Sequence, residues 1–339
     1  MNKILGPRLK KAREEINLSQ GAFAQAIGLS SEYISLLEAG KRTPSFDALD
    51  RIAGFLHKDI SYFFEEKESA FSALLASEGL DDKEKKILKA FSAYANEYLR
   101  LEEASGRRLE LAPHYSGMSA ERLAAEERRR LGLGEEPIRD VFGLIEMNGL
   151  RLLRQPMPED SKVSGIFIFL EERSAAFALI NSAQPPGRQA FIAVHEYAHF
   201  LKDRLEGPVI DSPDFFIDEY VSLYHPREQF AQLFASRFLM PPSKVQELVA
   251  RDYGSRKLSF EDVLYFKRYF GVSTPDMLRA LRNLGFLPRP QFEEYFKLDP
   301  SAREKELFGN VTEDGEGSWF GRFKKKAIPS DRFKLLSRQ

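Results

Sequence analysis

Apolar residues along this chain fall into two textures. Up to about residue 64 they recur every three or four positions in short runs punctuated by serine and glycine. This spacing predicts helices over 8–15, 18–28, 30–38 and 46–56. Gly28 closes the second, Gly40 follows the third, and Ser45 caps the fourth. Ile60, Tyr62 and Phe63 pack the end of the segment. Two short helices joined by a turn containing Gly28 fit a helix-turn-helix. Residues 65–136 are then rich in Lys, Arg, Glu and Ala. A long helix is predicted over 81–101, with Ile87, Leu88, Phe91, Tyr94, Ala95, Tyr98 and Leu99 forming one apolar stripe. That stripe suits an arm packed on its own domain as well as a dimer contact. Residues 107–118 read as a loop, and Ser119 caps a charged helix ending near Gly132, where Arg128, Arg129 and Arg130 read as a solvated face.

From about Pro137 the pattern becomes mixed. Strands are predicted over 149–153, 163–170 and 175–180, with 171–174 turning the last two into an antiparallel hairpin. Helical spacing returns over 189–202, over 226–240 between Pro226 and Pro241-Pro242, and over 258–287 with a break at 271–275. The tail beyond Gly309 holds Arg322, Lys324, Lys325, Lys326, Arg332, Lys334 and Arg338, and past Glu316 the one acid among them is Asp331. It is expected to be an extended, flexible strap. No internal repeat is present.

The helix over 189–202 carries His195-Glu196-Tyr197-Ala198-His199, an H-E-x-x-H motif. Residues four apart on a helix share a face, so both imidazoles can reach one ion. Glu196 then lies where a carboxylate acts as general base on activated water. A chain with five histidines places two of them at this spacing, on a helix with apolar flanks, which favours a metal over two unrelated solvated histidines. A catalytic zinc takes three protein ligands and keeps one open position. Glu228 shares the core-facing stripe of the helix over 226–240 with Ala231 and Ala235, and a carboxylate there must be paired or metal-bound. It is the favoured third ligand, against a salt bridge with Arg227 or Arg237. Asp218, Glu219 and His225 are competing ligands.

Composition narrows the chemistry further. Among 339 residues, 43% are apolar and 30% charged, and the formal net charge is −1, so no global field points to nucleic acid or membrane. There is no cysteine, which excludes disulfides and a thiol nucleophile and confines metal ligation to nitrogen and oxygen. Such ligands admit Mn2+ as well as Zn2+. With no apolar signal core and no apolar run of membrane-spanning length, the cytoplasm is the expected compartment and no membrane partner is expected.

Residues 5–64 resemble an XRE-type, phage-repressor-like helix-turn-helix. The resemblance is carried by Leu18-Ser19-Gln20, Ala24, Ile27-Gly28-Leu29-Ser30, Tyr33-Ile34-Ser35, Leu37-Glu38, Gly40-Lys41-Arg42, Pro44-Ser45 and Leu49. Residues 126–287 resemble the ImmA/IrrE zinc metallopeptidase family through His195-Glu196-Tyr197-Ala198-His199, Glu228-Gln229-Phe230-Ala231, Phe234-Ala235 and Leu239-Met240-Pro241. The resemblance implies Zn2+ held by His195, His199 and Glu228, with Glu196 as catalytic base in the gluzincin manner. It also implies a regulatory protease acting on repressor-type proteins. Two features depart from the family: the upstream fusion, and the interval from His199 to Glu228 with Gly207-Pro208-Val209-Ile210-Asp211-Ser212-Pro213-Asp214-Phe215-Phe216, expected as a cover for the cleft.

The expected architecture is therefore α+β and multidomain. An all-α helix-turn-helix occupies 1–65, a helical connector 66–136, and a zincin-like metallopeptidase domain with a small antiparallel sheet 137–290; a C-terminal extension covers 291–339. Tyr220, Tyr224 and His225 are unranked candidates for stabilising an oxyanion. In the first domain the second helix of the pair would enter the major groove and offer Ser31, Glu32, Tyr33 and Ser35 to base edges. Gln20, Lys41 and Arg42 would meet phosphates. Residues 1–65 carry about as many acids as bases, so a protein-docking role for this domain stands as an alternative. The expected partners are double-stranded DNA, a repressor-type protein substrate and a second copy of the chain reading the other half-site. The rival reading is a transcriptional regulator whose peptidase-like domain is a non-proteolytic sensor.

Overall fold

The computed structural model describes residues 2–63, 70–77, 79–211, 225–254, 256–309 and 328–337. The chain forms two compact units, Met1–Ser69 and Ala70–Gln339.

The first unit is all helical: α1 (Asn2–Glu15), α2 (Gln20–Ala26), α3 (Ser31–Glu38), α4 (Phe46–Leu56) and a 3-10 turn at Ile60–Phe63. The first helix begins earlier than the pattern predicts, because Pro7 lies inside it instead of at its boundary. A proline there forfeits one backbone hydrogen bond, and burial of Leu5 and Leu9 on either side compensates. Ser19, Ser30 and Ser45 each accept a backbone N–H at the start of α2, α3 and α4. Gly28 makes the α2–α3 turn at φ +67°, a conformation that costs glycine little. Phe23, Ile34, Leu37, Leu49, Ile52 and Leu56 fill the core. One ion pair is buried with them: Arg13 Nε donates to Glu38 Oε1 at 2.6 Å.

The second unit is a three-layer arrangement around a five-stranded sheet. Its strands are β1 (Leu150–Gln155), β2 (Gly165–Leu170), β3 (Ala175–Asn181), β4 (Val209–Asp211) and β5 (Ile328–Pro329), in the order β4-β2-β3-β1-β5. The β2–β3 hairpin is antiparallel, but β3 inserts between β2 and β1 and runs parallel to β1. The sheet is thus mixed, which corrects the antiparallel sheet expected from the sequence. Residue patterning reports which faces are buried and carries no information on strand direction.

β3 is buried along its whole length, and its two faces explain the layers. Ala176, Ala178 and Ile180 face the core shared with the central helix α9 (Pro186–Lys202). Ala175, Phe177 and Leu179 face the other layer, built from α5 (Ala70–Leu75) and α6 (Asp82–Ser105). From Ala70 onward the stretch expected as a connector therefore belongs to this unit, where the α6 stripe of Leu88, Phe91, Ala95 and Tyr98 covers the sheet. Helices α7 (Ala120–Arg130), α8 (Val141–Met147) and α10 (Pro226–Leu239) enclose α9. Beyond them lie α11 (Pro242–Asp252), α12 (Phe260–Phe270), α13 (Thr274–Asn283), α14 (Arg289–Phe296) and α15 (Pro300–Phe308). No described helix is long and apolar enough to cross a membrane.

Two further expectations change. Among the three consecutive arginines of α7, Arg129 and Arg130 are exposed as expected, but Arg128 is not. Arg128 is buried and donates to the carbonyls of Gly134, Glu136 and Phe238, while Arg130 reaches in to Glu127. In the tail, residues 328–337 are docked, not extended and loose. β5 pairs with β1, and α16 (Asp331–Leu336) buries Leu336 and brings Arg332 to Glu102. The basic residues at 322 and 324–326, like Arg338, lie outside the described residues.

Beneath the sheet, Arg151 is fully buried against Glu102, with Nη2 to Oε2 at 2.6 Å. Removing one member of such a pair strands the other charge, at a cost of ~3–5 kcal/mol. Glu102→Gln is expected to destabilise the chain by this order in urea denaturation, whereas Glu102→Met with Arg151→Met recovers most of the loss. A single substitution costing under about 1 kcal/mol would contradict the pairing's role.

Candidate functional site

The site is built on α9, a helix so enclosed that nearly every side chain from Gly187 to Leu201 is buried. Pro186 starts it, and its apolar residues surround the axis on all sides, as in a helix interior to a domain. Burying such a helix takes its polar residues out of water as well, so His195, Glu196 and His199 all lie fully buried. Each then needs a compensating partner.

Two other elements supply one. The first turn of α10 brings Glu228, and the edge strand β4 brings Asp211. His195 Nε2 lies 3.2 Å from His199 Nε2, 3.1 Å from Glu228 Oε2 and 3.1 Å from Asp211 Oδ2. His199 Nε2 lies 3.6 Å from Glu228 Oε1 and 3.9 Å from Asp211 Oδ1. The donor atoms of these four residues all fall within 4.8 Å of one another. Zinc bonds of roughly 2.0–2.1 Å in a tetrahedron imply ligand atoms about 3.3 Å apart, which these edges bracket. Two nitrogens and two oxygens in a dry interior thus fit a divalent ion.

Charge supports the same conclusion. Both oxygens of Asp211 and both of Glu196 are buried without a hydrogen-bond donor. Burial pushes the Glu196 carboxyl well above the usual carboxylate range, and Asp211 and Glu228 add to the effect. Burial alone would lower the imidazoles, but carboxylates outweigh it. His199, held by Asp203, Glu228 and Asp211, is pushed up to about 10, and His195 rises through Asp211 and Glu228. Glu228 is held far below the usual range, since both imidazoles outweigh its own burial. Without a metal these groups are held together by protons. A cation can replace them.

A ring of neighbours fixes the orientation. His199 Nδ1 meets Asp203 Oδ2 at 2.9 Å, and Arg227 Nε donates to that same oxygen at 2.8 Å. Arg227 is thereby drawn to Asp203, leaving Glu228 to the imidazoles. Tyr197 donates to the buried carboxylate of Glu127, which Arg130 clamps with two bonds of 2.6 and 2.8 Å. Gly165 on β2 makes room for Glu196: a Cβ there would sit 1.9 Å from Glu196 Oε1.

His195, Glu196, His199 and Glu228, all candidates from the sequence, are brought together. Asp211, Asp203 and Gly165 are members of the site that the sequence does not single out. Asp211 ends a three-residue strand between prolines, too short to read as an element. His225 is exposed at the start of α10, and Asp218, Glu219, Tyr220 and Tyr224 lie outside the described residues.

In the first unit, Ser31, Glu32 and Ser35 are exposed along α3, and Lys41 and Arg42 are exposed just after it. Tyr33 is half-buried, with the Arg42 guanidinium 4.6 Å from its ring centre. Gln20 turns inward and donates to Glu38 Oε2 at 2.8 Å, so its amide nitrogen is engaged within the domain.

Comparison with known proteins bears on each unit. Residues 9–63 match a family described as helix-turn-helix, and residues 155–281 match the IrrE N-terminal-like domain. The ImmF control region 10 kDa protein of Bacillus phage phi105 is 39% identical over 59 residues, which span 17% of this chain and 66% of that protein. A crystal structure of Bacillus thuringiensis PlcR with the peptide PapR7 and DNA is 13% identical. It covers 90% of this chain and 95% of its own, with a TM-score of 0.19.

Because the metal-free His199 keeps its proton up to about 10, an ion entering at neutral pH must displace it. Apparent zinc affinity is expected to rise with pH between 6 and 8, by about tenfold per unit for each proton displaced. Chelator competition at three pH values checks this, and an affinity that stays flat or falls would contradict it.

Proposed function

From a chain that carries an XRE-type helix-turn-helix domain and an IrrE N-terminal-like domain, we propose a zinc-dependent regulatory metallopeptidase that controls transcription by cleaving a repressor-type protein. The observation that carries this reading is the buried convergence of His195, His199 and Glu228, with the Glu196 carboxylate beside them and outside the ligand set. His195, His199 and Glu228 would hold the ion. Zinc, when bound, supplies Lewis acidity that polarises a carbonyl and brings the pKa of water toward neutrality.

The chain's own residues do the rest. Glu196 takes the proton of the attacking water and delivers it to the leaving amine nitrogen. Its raised proton affinity suits both halves of that transfer, since a base must hold the proton long enough to return it as an acid. Gly165 leaves the carboxylate the space it occupies. Asp203 fixes the His199 ring with its Nε2 toward His195 and Glu228, and Glu127 holds α9 through Tyr197. The apolar enclosure strengthens every charge interaction at the site.

The first unit would bind double-stranded DNA through α3, with Ser31, Glu32, Tyr33 and Ser35 toward base edges and Lys41 and Arg42 toward phosphates. The engagement of Gln20 with Glu38 weakens its candidacy as a phosphate partner. The phage relative's name, ImmF control region 10 kDa protein, supports a role in gene control. A second reading, a non-proteolytic sensor, is favoured by one observation: Asp211 makes a fourth ligand available, and a four-ligand zinc site is closed.

Incubating the full chain and zinc with repressor-type proteins, with fragments read by mass spectrometry, tests the first reading. Glu196→Gln is expected to retain zinc and lose cleavage by at least about a hundredfold. Equal activity of the two forms would remove Glu196 from the chemistry. Lys41→Ala with Arg42→Ala is expected to weaken DNA binding on all sequences and to flatten its salt dependence, by about one unit of slope for each basic side chain taken from a phosphate. Unchanged binding would favour a protein-docking role for this unit.

A further inference from the structure

One group at the site has no part in the mechanism above. Asp211 is fully buried at the end of β4, and neither of its oxygens accepts a hydrogen bond. Its Oδ2 nevertheless lies as close to His195 Nε2 as Glu228 Oε2 does, at 3.1 Å. A carboxylate that approaches a ring nitrogen without hydrogen-bond alignment is placed as a co-ligand would be, beside the nitrogen and facing the same point.

Coordination and charge then give the consequence. Catalytic zinc sites keep three protein ligands and one open position, whereas four protein ligands close a tetrahedral site. Two neutral imidazoles and one carboxylate leave a divalent ion with a net charge of +1, which is the source of its pull on a carbonyl oxygen. A second carboxylate brings that sum to zero, so Asp211 removes the open position and the electrophilicity together.

Resting on the assignment of His195, His199 and Glu228 as ligands, we propose that Asp211 is a fourth ligand that holds this site latent, and that β4 is the latch carrying it. β4 is suited to that part. It is three residues long and, among the described residues, lies at the edge of the sheet and pairs with β2 alone, matching Val209, Ile210 and Asp211 to Phe167, Ile166 and Gly165. Its last pairing is anchored by Ser164 N–H to the Asp211 carbonyl at 2.8 Å. So short a strand is held by few backbone bonds, and moving it withdraws Asp211 while the other three ligands, on α9 and α10, stay in place.

The test uses the full chain loaded with Co2+, whose visible spectrum reports coordination number, alongside zinc affinity by chelator competition. The wild type is expected to give a four-coordinate spectrum that does not respond to azide. Asp211→Ala and Asp211→Asn are expected to bind zinc about tenfold or more weakly, to give spectra that shift on adding azide, and to cleave peptide faster. A wild-type spectrum that responds to azide overturns the proposal. So do Asp211 variants whose zinc affinity stays within twofold of wild type. Glu228→Gln serves as the control on the underlying assignment. If it keeps full zinc affinity, the ligand set itself is wrong; if it loses zinc while the Asp211 variants do not, only the latch fails. The azide titration of the wild type requires no variant to fold.

Discussion

Five ionisable side chains, His195, Glu196, His199, Asp211 and Glu228, meet at one dry point in this protein, and the surrounding structure is arranged to make that tolerable. Three carboxylates so close cannot all be ionised in a low-dielectric interior unless positive charge is supplied. Protonated imidazoles can supply it, as can a divalent ion. The first arrangement sets two cationic rings against each other with nitrogens 3.2 Å apart, while the second directs both lone pairs at a common centre. The geometry of these donor atoms is thus compatible with a divalent ion at their centre.

That constraint reaches outward through the fold. A helix bearing such a site must be wrapped on every side, and α9 is wrapped by β2 and β3, by α8 and by α10, which in turn packs on α7. Where those elements carry charge toward it, the charge is neutralised locally. Arg227 balances Asp203, and Arg130 balances Glu127. The two pairs stiffen α9 from different sides, through His199 and through Tyr197. The geometry of these donor atoms is thus fixed by packing and by buried ion pairs, with little left to side-chain freedom. On the other side of the sheet, Glu102 and Arg151 follow the same rule, and Arg332 brings the C-terminal segment into that pair.

How much of this could be read from the residues depends on whether a signal is local. The helical spacing of His195 and His199 is local, as is the stripe that turns Glu228 inward, and the helices of the first unit announce themselves through their serine caps and Gly28. Strand direction is not local. β3 runs parallel to β1 because it enters between two strands that precede it, and alternation of side chains is the same either way. Asp211 escapes notice because a three-residue strand gives no periodicity to detect. Arg128 reads as solvated because three consecutive arginines suggest a surface, yet its role comes from carbonyls of Gly134, Glu136 and Phe238, the last far along the chain. Gly165 is silent in the sequence, since its meaning lies in the Glu196 carboxylate packed against it.

The fusion itself gives a reason for a closed site. On the proposed reading the substrate is a repressor-type protein, and the chain carries a domain of that same class at its own N-terminus. A tethered domain meets its neighbour at an effective concentration that reaches the order of millimolar for short flexible linkers. A permanently open peptidase would thus face its own helix-turn-helix at a concentration few separate substrates could match. A peptidase on a separate chain has no such problem. Discrimination between the two targets cannot rest on affinity alone when one of them is tethered, so it has to rest on when the site is open. On the proposal that Asp211 is a fourth ligand, a carboxylate that completes the ligand set until its strand is moved would provide that control with residues already at the site, leaving the other three ligands in place.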